Sequence, residues 1–519
     1  MNFEPYTTSV LVLTLLSVAA AIALPEDEAE VPEMQNFTEY AEEIMTDWGV
    51  PGMAVSVIKD GEVIFTQCLG LRDVEKNLPV TTRTLFAIGS CSKAFTSTAA
   101  GILVDEGRLE WDAPVIGSFP EFRMYDEYVT MHVSLRDLLS HRTGLPGCYE
   151  LLWFALPLER KDYFNSLAYL KPNKGFREEF QYSNLVYTVT GVLIGRSAGC
   201  TWEEFVKNRI FEPLSMESSN FSVSETLETD DFAQPYQSKD GETVKIAFRN
   251  IDSFAPAGGI ISNIDDMGRW LLLQLNEGKF GGKQIISSQS LSQLHNPQMA
   301  IANKELAAWM QASLYGMGWF VSDFRGHRLV EHGGNIDGFS ALCSFLPEEG
   351  IGVVVLTNSM NVMTYVIARN IFDRLLRYEK RDWNSRYKDL YERIKALSPL
   401  ISRGSKSGRK TGTKPSLPLA NYAGIYEHPA FGRLGISYEN GRLSAIYAGK
   451  QLEVDHYHYD VFCLKVPTMP DIKVRFALDY NGNVEGLAML LSPGVDEIVF
   501  KPIRNDAKQS RRAKTEMQE

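Results

Sequence analysis

Leu85-Phe86-Ala87-Ile88-Gly89-Ser90-Cys91-Ser92-Lys93 joins an apolar run, a permissive glycine and a Ser-x-x-Lys pair within one short segment of the chain. From Ser90 onward, Ala, Leu and Lys replace the β-branched alternation until Gly107, which is the pattern of a buried helix with a glycine stop. A serine and a lysine three residues apart at a helix start lie on one face, so the amine can reach the hydroxyl. If burial desolvates Lys93, its neutral form can act as a base. The segment therefore predicts an activated nucleophile at Ser90.

The Ser-x-x-Lys pattern is weak on its own, because it occurs four times in this chain. The four pairs are Ser56-Lys59, Ser90-Lys93, Ser385-Lys388 and Ser407-Lys410. Ser56 lies in an alternating strand, where residues three apart point to opposite faces. Ser385 and Ser407 lie in or near a polar, charged segment. Only the pair at Ser90 has the helix-start context, although a capping serine beside a surface lysine would look the same without further support.

Two more motifs follow in a fixed order and supply that support. Tyr182-Ser183-Asn184 precedes an apolar helical stretch over residues 185–194, and His332-Gly333-Gly334 precedes a predicted strand. Tyr-x-Asn also occurs at Tyr163 and Tyr438, whereas His-Gly-Gly occurs once. The order of the three motifs is therefore more informative than any one of them.

Together these motifs resemble the serine β-lactamase-like family, which includes class C β-lactamases, D-Ala-D-Ala carboxypeptidases, D-aminopeptidases and related esterases. The likeness spans about residues 37–377 and implies an α/β (α+β) penicillin-binding fold, with an antiparallel sheet flanked by helices and a helical subdomain. Four further segments carry it: Leu138-Leu139-Ser140-His141-Arg142-Thr143-Gly144-Leu145-Pro146, Ile210-Phe211-Glu212-Pro213-Leu214-Ser215-Met216, Ala257-Gly258-Gly259-Ile260-Ile261-Ser262 and Tyr315-Gly316-Met317-Gly318-Trp319.

The resemblance implies a role for each motif residue. Ser90 would attack a carbonyl carbon to form an acyl-enzyme, while Lys93 and Tyr182 remove and deliver the proton. Asn184 would hydrogen-bond the substrate amide or the lysine. The backbone N–H groups of Ser90 and Asn335 would form the oxyanion hole, and water would release the product. The resemblance implies no cofactor and no metal.

The third motif departs from the β-lactamases, which carry Lys-Thr-Gly where this chain has His332-Gly333-Gly334. The change removes a fixed positive charge and a hydroxyl that would hold an anionic carboxylate. Similar replacements are typical of the esterases and aminopeptidases of the family. We therefore expect hydrolysis of an ester or a D-amino-acid amide or peptide ahead of a lactam. We predict that His332, Gly333, Gly334 and Asn335 line the substrate and oxyanion site, with a purely structural strand-end histidine as an equal alternative.

Composition divides the chain into five predicted segments. These are a signal peptide over 1–23, the β-lactamase-like catalytic domain over 34–379, a charged and basic linker over 380–416, a small β domain over 417–503 and a disordered tail over 504–519. Turn pairs at Asn440-Gly441 and Asn481-Gly482 predict antiparallel strands in the β domain. The segment Tyr422-Ala423-Gly424-Ile425-Tyr426 resembles the small β-barrel-like module that often follows this catalytic domain.

The N-terminus predicts export. An apolar run over Val10 to Leu24 ends in small residues, which indicates a secretory signal cleaved near Ala23 and an extracellular location. The run is shorter than the roughly 20 residues of a spanning helix, so no stable membrane anchor is expected. The sequons at Asn36 and Asn220 predict glycosylation. Six cysteines allow up to three disulfides or isolated buried thiols.

The charge balance limits the partners. The chain has 52 basic and 65 acidic residues, a net charge of −13, which disfavours nucleic acid. A small ester, amide or peptide is the expected substrate. The alternative function is an extracellular matrix protein, of shell or another biomineral, that reuses this fold with little activity. Secreted mollusc shell-matrix proteins of the gigasin type resemble the general pattern. The intact Ser-Lys-Tyr set favours retained chemistry.

Overall fold

The computed structural model describes most of the chain as two folded parts. The described residues are 31–155, 158–239, 242–302, 312–393, 408–466, 471–492 and 494–503. The predicted signal peptide over 1–23 and the predicted tail over 504–519 lie outside these residues. In the described segments no helix has the length and apolar character needed to cross a membrane.

The first part contains all the named α-helices and most of the strands. The helices are α1 Phe37–Trp48, α2 Ser92–Asp105, α3 Val115–Ser118, α4 Glu127–His132, α5 Leu135–Leu139, α6 Leu151–Ala155, α7 Arg160–Ser166, α8 Asn184–Ala198, α9 Trp202–Val206, α10 Val223–Leu227, α11 Ala255–Gly258, α12 Ile264–Leu275, α13 Ser288–His295 and α14 Met363–Leu375. Its strands are β1 Gly52–Lys59, β2 Glu62–Asp73, β3 Leu78–Pro79, β4 Phe86–Ala87, β5 Tyr236–Lys239, β6 Glu242–Lys245, β7 Ile261–Ser262, β8 Lys279–Phe280, β9 Lys283–Gln284, β10 Met299–Ala300, β11 Leu314–Tyr315, β12 Phe320–Phe324, β13 His327–Ile336, β14 Phe339–Leu346 and β15 Ile351–Thr357.

A nine-stranded antiparallel sheet forms the frame of this part, in the order β10-β11-β12-β13-β14-β15-β1-β2-β3. Strands β1 and β2 form a hairpin that turns at Asp60-Gly61, and both turn residues have positive φ, 51° and 85°, as a tight hairpin turn requires. Strand β1 also pairs with β15, with Val55 opposite Val355, so the two ends of the domain meet in the middle of the sheet.

The two faces of the sheet are covered differently. Helices α1 and α14 pack on one face around Phe37, Val353 and Phe372, all fully buried. Helix α12 packs on the opposite face, against β1 and β15, and α2 contacts α8, α11 and α13 beyond it. Twelve of the 14 residues of α2 are buried, so this helix is the centre of a helical subdomain. The predicted sheet, flanking helices and helical subdomain are confirmed.

The second part is a closed β-barrel of eight strands. Its strands are β16 Gly424–His428, β17 Gly432–Glu439, β18 Arg442–Tyr447, β19 Lys450–His458, β20 Val461–Lys465, β21 Ile472–Leu478, β22 Val484–Met489 and β23 Ile498–Pro502. The turns at Asn440-Gly441 and Asn481-Gly482 join β17 to β18 and β21 to β22. The small C-terminal β domain predicted from the sequence is therefore a complete barrel.

The predicted linker over 380–416 begins with ordered structure. Residues 383–393 form a helix, and Trp383 and Tyr387 are buried in the core of the first part. The Trp383 indole N–H donates to the Asp373 carboxylate at 2.8 Å. Residues 394–407 lie outside the described residues. The first third of the predicted linker thus belongs to the catalytic domain, because its aromatic residues complete that core.

Two predicted modification features have different environments. Asn36 is exposed at the start of α1. The Asn220 side chain is 6% exposed, and its amide oxygen accepts hydrogen bonds from Ser222 N–H at 3.1 Å and Thr226 Oγ1 at 3.0 Å. The Asn220 side chain is therefore largely buried whereas Asn36 is exposed, and glycosylation of both residues stays a prediction. All six cysteines are free thiols, and three of them, Cys91, Cys343 and Cys463, are buried as the isolated buried-thiol alternative expected.

Candidate active site

Ser90 lies at the junction of three elements. Strand β4 pairs with β7, and Gly89 follows with φ +50° before the 3-10 turn Gly89–Cys91 leads into α2. The Ser92 hydroxyl donates to Gly89 O at 2.7 Å and accepts from Ile260 N–H at 3.1 Å, which clamps the turn. This local geometry holds the Ser90 hydroxyl at the N-terminal end of a buried helix.

Lys93 is fully buried, and its amine has three polar neighbours. Nζ lies 3.1 Å from Ser90 Oγ, 2.6 Å from Asn184 Oδ1 and 2.7 Å from the carbonyl oxygen of Ala257. Burial lowers the pKa of Lys93 to about 7, while the negative charge of Glu150 opposes that shift. A neutral amine in contact with the serine hydroxyl is therefore accessible at neutral pH.

Tyr182 completes the predicted catalytic trio. Its hydroxyl hydrogen-bonds with Ser90, and burial raises its pKa well above the ordinary value for a tyrosine. Its ring centroid lies 4.7 Å from Lys93 Nζ and 4.5 Å from the His141 ring. His141 Nδ1 also accepts from Ser183 N–H at 3.2 Å, so this buried histidine fixes the tyrosine loop. The phenol stays protonated and is positioned as a proton donor.

The two glycines of the third motif permit a close approach of β13 to the serine turn. An added Cβ on Gly334 would lie 1.8 Å from Ile88 O and 3.0 Å from Ser90 N, and one on Gly333 would lie 2.3 Å from the Tyr365 hydroxyl. An added Cβ on Gly89 would in turn lie 2.9 Å from Asn335 N. The serine turn and β13 are therefore in close backbone contact at the two segments whose amides, on Ser90 and Asn335, are predicted to form the oxyanion hole.

His332 does not reach the pocket. Its side chain is 1% exposed, with Nε2 3.3 Å from the Tyr315 hydroxyl and Nδ1 2.7 Å from Gly333 O. Burial lowers its pKa to about 3, so the ring is neutral. The side chain packs among Tyr315, Phe320 and Tyr182, with its ring centroid 6.3 Å from the Tyr182 ring, so the predicted substrate contact stays a prediction. Of the two interpretations, the structural histidine fits this environment.

A pocket of about 200 Å³ opens beside Ser90. It contains the predicted residues Ser90, Asn184 and Asn335. The other lining residues are Gly89, Arg249, Ile251, Phe254, Ala257, Gly258, Ile336 and Asp337. Arg249 and Asp337 form an ion pair at 2.5 Å, with side chains 20% and 38% exposed. The sequence offered no signal for this pair, because neither residue belongs to a motif and the two are 88 positions apart in the chain.

Glu150 is a second residue that the motifs did not predict. Its buried carboxylate accepts hydrogen bonds from Asn184 N–H at 2.9 Å, Asn184 Nδ2 at 2.7 Å, Leu185 N–H at 2.7 Å and Ser183 Oγ at 3.2 Å. The carboxylate thus satisfies the first N–H groups of α8, where a negative charge is favoured. It also turns the Asn184 amide so that its oxygen faces Lys93. Its position four residues after the Leu138–Pro146 segment was the only available hint.

The family comparison covers the whole of this site. The model of the Beta-lactamase family matches residues 37–377. The chain belongs to that family. A second family model, described as a domain of unknown function (DUF3471), matches residues 408–502, which contain the barrel. For this Beta-lactamase family member, the family and the fold predicted from the motifs are confirmed.

Relatives and solved structures agree with that assignment. The chain is 29% identical over 464 residues to Unguisins hydrolase ungD' of Aspergillus campestris (strain IBT 28561), covering 83% of this chain and 82% of the relative. It is 26% identical over 319 residues to Protein flp of Staphylococcus aureus (strain N315), covering 60% of each. The octameric penicillin-binding protein homologue from Pyrococcus abyssi shares the fold, with a TM-score of 0.58, 22% identity and coverage of 90% of this chain and all of that one. The predicted enzyme class, a serine hydrolase, is supported by the family and by the relative named as a hydrolase.

Proposed function

We propose that this chain is a secreted serine hydrolase that cleaves an ester or a D-amino-acid amide or peptide through an acyl-enzyme on Ser90. One observation carries the proposal: the buried Lys93 amine lies 3.1 Å from Ser90 Oγ, and burial lowers its pKa to about 7. An amine in that state accepts the serine proton at neutral pH without a histidine.

Each proton of the acylation step has a residue to carry it. Neutral Lys93 accepts the proton of Ser90 Oγ as the oxygen bonds to the carbonyl carbon. The oxyanion forms between the N–H groups of Ser90 and Asn335. Tyr182, which burial keeps protonated, donates to the leaving group as its bond to carbon breaks. The Lys93 ammonium then returns a proton to Tyr182, and water hydrolyses the acyl-enzyme by the reverse sequence.

The pocket limits the substrate. Its volume of about 200 Å³ is below the range of roughly 300–1,000 Å³ that holds drug-sized ligands, so it suits a small acyl group. Ile251, Phe254 and Ile336 supply apolar walls. The neutral His332 offers no charge for the carboxylate of a penicillin. These features favour esters and D-amino-acid amides over lactams, and a relative named as a hydrolase of unguisins supports bond cleavage beyond lactams.

The test is labelling and turnover with a matched serine control. A fluorophosphonate is expected to add its mass to the tryptic peptide containing Ser90, and Ser90→Ala is expected to abolish labelling and turnover. Ser385→Ala is the control, because Ser385 is exposed and belongs to another Ser-x-x-Lys pair. The turnover panel contains p-nitrophenyl esters, D-amino-acid p-nitroanilides and a chromogenic cephalosporin. Labelling that persists in Ser90→Ala would overturn the assignment.

Export and the matrix alternative have their own tests. A secreted protein recovered from the medium is expected to begin near Leu24, as N-terminal sequencing would show. The matrix alternative expects a folded protein that turns over nothing in the panel. Ser90 lines an open pocket, which favours chemistry over a blocked site.

A further inference from the structure

The C-terminal barrel packs against the segment of the catalytic domain that contains Glu150. The fully buried Phe431 of the barrel stacks on Trp153 with ring centroids 4.9 Å apart, and it lies 6.3 Å from the Tyr149 ring. At the edge of the same interface, Lys171 pairs with Asp496 of the barrel at 2.6 Å. The barrel therefore packs on both sides of position 150.

Glu150 in the same segment is linked to the catalytic lysine by hydrogen bonds through Asn184. The 3-10 turn Gly147–Glu150 continues into α6, so Glu150 lies between Tyr149 and Trp153 in the chain. The Glu150 carboxylate accepts two hydrogen bonds from Asn184, and Asn184 Oδ1 lies 2.6 Å from Lys93 Nζ. A displacement of the turn would therefore change where the Asn184 amide meets the lysine.

We propose that Glu150 is a positioning residue for Lys93, and that the docked barrel holds Glu150 in place and so sets the activity of the catalytic domain. The inference rests on the proposed function, because it assumes that Lys93 is the base for Ser90. It assigns the barrel a task in the reaction that involves no contact with substrate.

The charge states of the groups around Glu150 and Lys93 make the pH dependence of activity a test of this proposal. Burial keeps His141 and His332 neutral by lowering their pKa values, and it keeps Tyr182 and Tyr187 protonated by raising theirs. The thiols of Cys91 and Cys148 also have raised pKa values. Both Glu150 oxygens accept two hydrogen bonds each, which suits the ionised form. Burial raises the pKa of the Glu150 carboxyl, whereas the hydrogen bonds from Asn184 and Leu185 and the charge of Lys93 act to lower it. In its ionised form Glu150 raises the pKa of Lys93.

The direction of the effect follows from that sign. Removing the charge in Glu150→Gln lowers the pKa of Lys93 further, so the acid limb of kcat/KM against pH moves to lower pH. The misplaced Asn184 also lowers kcat, by about 10- to 100-fold for a small displacement. Glu150→Asp keeps the charge and is expected to return the limb toward the wild-type position. A merely structural role for Glu150 would lower the amplitude and leave the limb in place.

The barrel is tested in the full chain by Phe431→Ala, with Tyr480→Ala as the matched aromatic control. Tyr480 is fully exposed on the barrel, so its loss leaves the interface intact. Phe431→Ala is expected to lower kcat and move the acid limb in the direction of Glu150→Gln, whereas Tyr480→Ala keeps the wild-type profile. A wild-type limb and kcat in both Glu150→Gln and Phe431→Ala would overturn the inference while leaving the hydrolase intact. An inactive wild-type protein would overturn both proposals.

Discussion

Lys93 and Arg369 are both buried basic side chains of the catalytic domain, but their charges are handled differently: Arg369 is paired with a carboxylate, whereas Lys93 can lose its proton. Arg369 donates to both oxygens of the Glu331 carboxylate, at 2.6 and 2.9 Å, and both side chains are less than 5% exposed. Burial alone would lower the pKa of Arg369, but the adjacent carboxylate more than offsets it and the pKa is raised. Lys93 has no such direct partner, since the Asn184 amide separates it from Glu150.

The comparison distinguishes a buried basic group that stays protonated and stabilises the fold from one that can lose its proton and act as a base. A buried cation with a bidentate carboxylate keeps its proton under all ordinary conditions. A buried cation held by an amide and two other uncharged oxygens can lose its proton, because burial penalises the charged form. Glu331 and His332 are neighbours on β13 and point to opposite faces of the sheet, so one strand separates the two environments.

The largest expected difference comes from replacing each cation with an apolar side chain of similar length. Lys93→Met should lower kcat/KM by about 10³-fold or more, because the serine loses its base. It should leave the melting temperature unchanged or higher, since no buried carboxylate loses a direct partner. Ester turnover and thermal unfolding measure the two effects. A Lys93→Met variant that unfolds on expression would show that the amine is structural instead.

Arg369→Met should have the opposite effects: a large loss of stability and little loss of turnover. It leaves the Glu331 carboxylate buried and unpaired, which costs about 3–5 kcal/mol of unfolding free energy. The turnover of the folded fraction should stay close to that of the wild type. Urea unfolding measures the loss, and the double variant Arg369→Met with Glu331→Met should recover most of it. Failure of the double variant to recover would mean that the ion pair itself is stabilising.

Arg249 gives a smaller and more selective effect, because its pair with Asp337 is partly exposed at the pocket. Arg249→Ala should lower kcat/KM by about tenfold for a p-nitrophenyl ester whose acyl group ends in a carboxylate, the size of one charged hydrogen bond. The matched neutral ester should change little, and Arg249→Lys should retain part of the preference. Equal losses on both esters would show that Arg249 shapes the pocket but does not recognise the carboxylate of the substrate.

The pH dependence is the mildest test. The lysine must be neutral to accept a proton, and its pKa is lowered to about 7, so kcat/KM should rise as pH increases through about 7. An unperturbed lysine would place this limb near pH 10.4. Stopped assays on one ester from pH 5 to 9 measure the limb. A flat profile across that range would remove Lys93 from the role of base.

Several parts of the fold and site were predictable because they depend on short-range geometry. The Ser90 and Lys93 pair follows from helix spacing, and the Asn440-Gly441 turn follows from the residues that tolerate positive φ. Tyr182 and Asn184 were identified from the order of motifs along the chain. The motif placed His332 on a strand beside the site but carried no information about its burial, which depends on the packing of Tyr315 and Phe320 around the ring.

Local sequence was thus sufficient to identify the family and to predict a nucleophile at Ser90 and its base at Lys93. The protonation state of that base, the neutrality of His332 and the roles of Glu150 and Arg249 depended on the folded arrangement. Desolvation and Coulomb interactions act between groups brought together by packing, such as Lys93 and Glu150, which are 57 positions apart in the chain. A sequence pattern within one segment does not specify which distant groups will pack around a residue. The protonation states at the site therefore follow only from the tertiary structure.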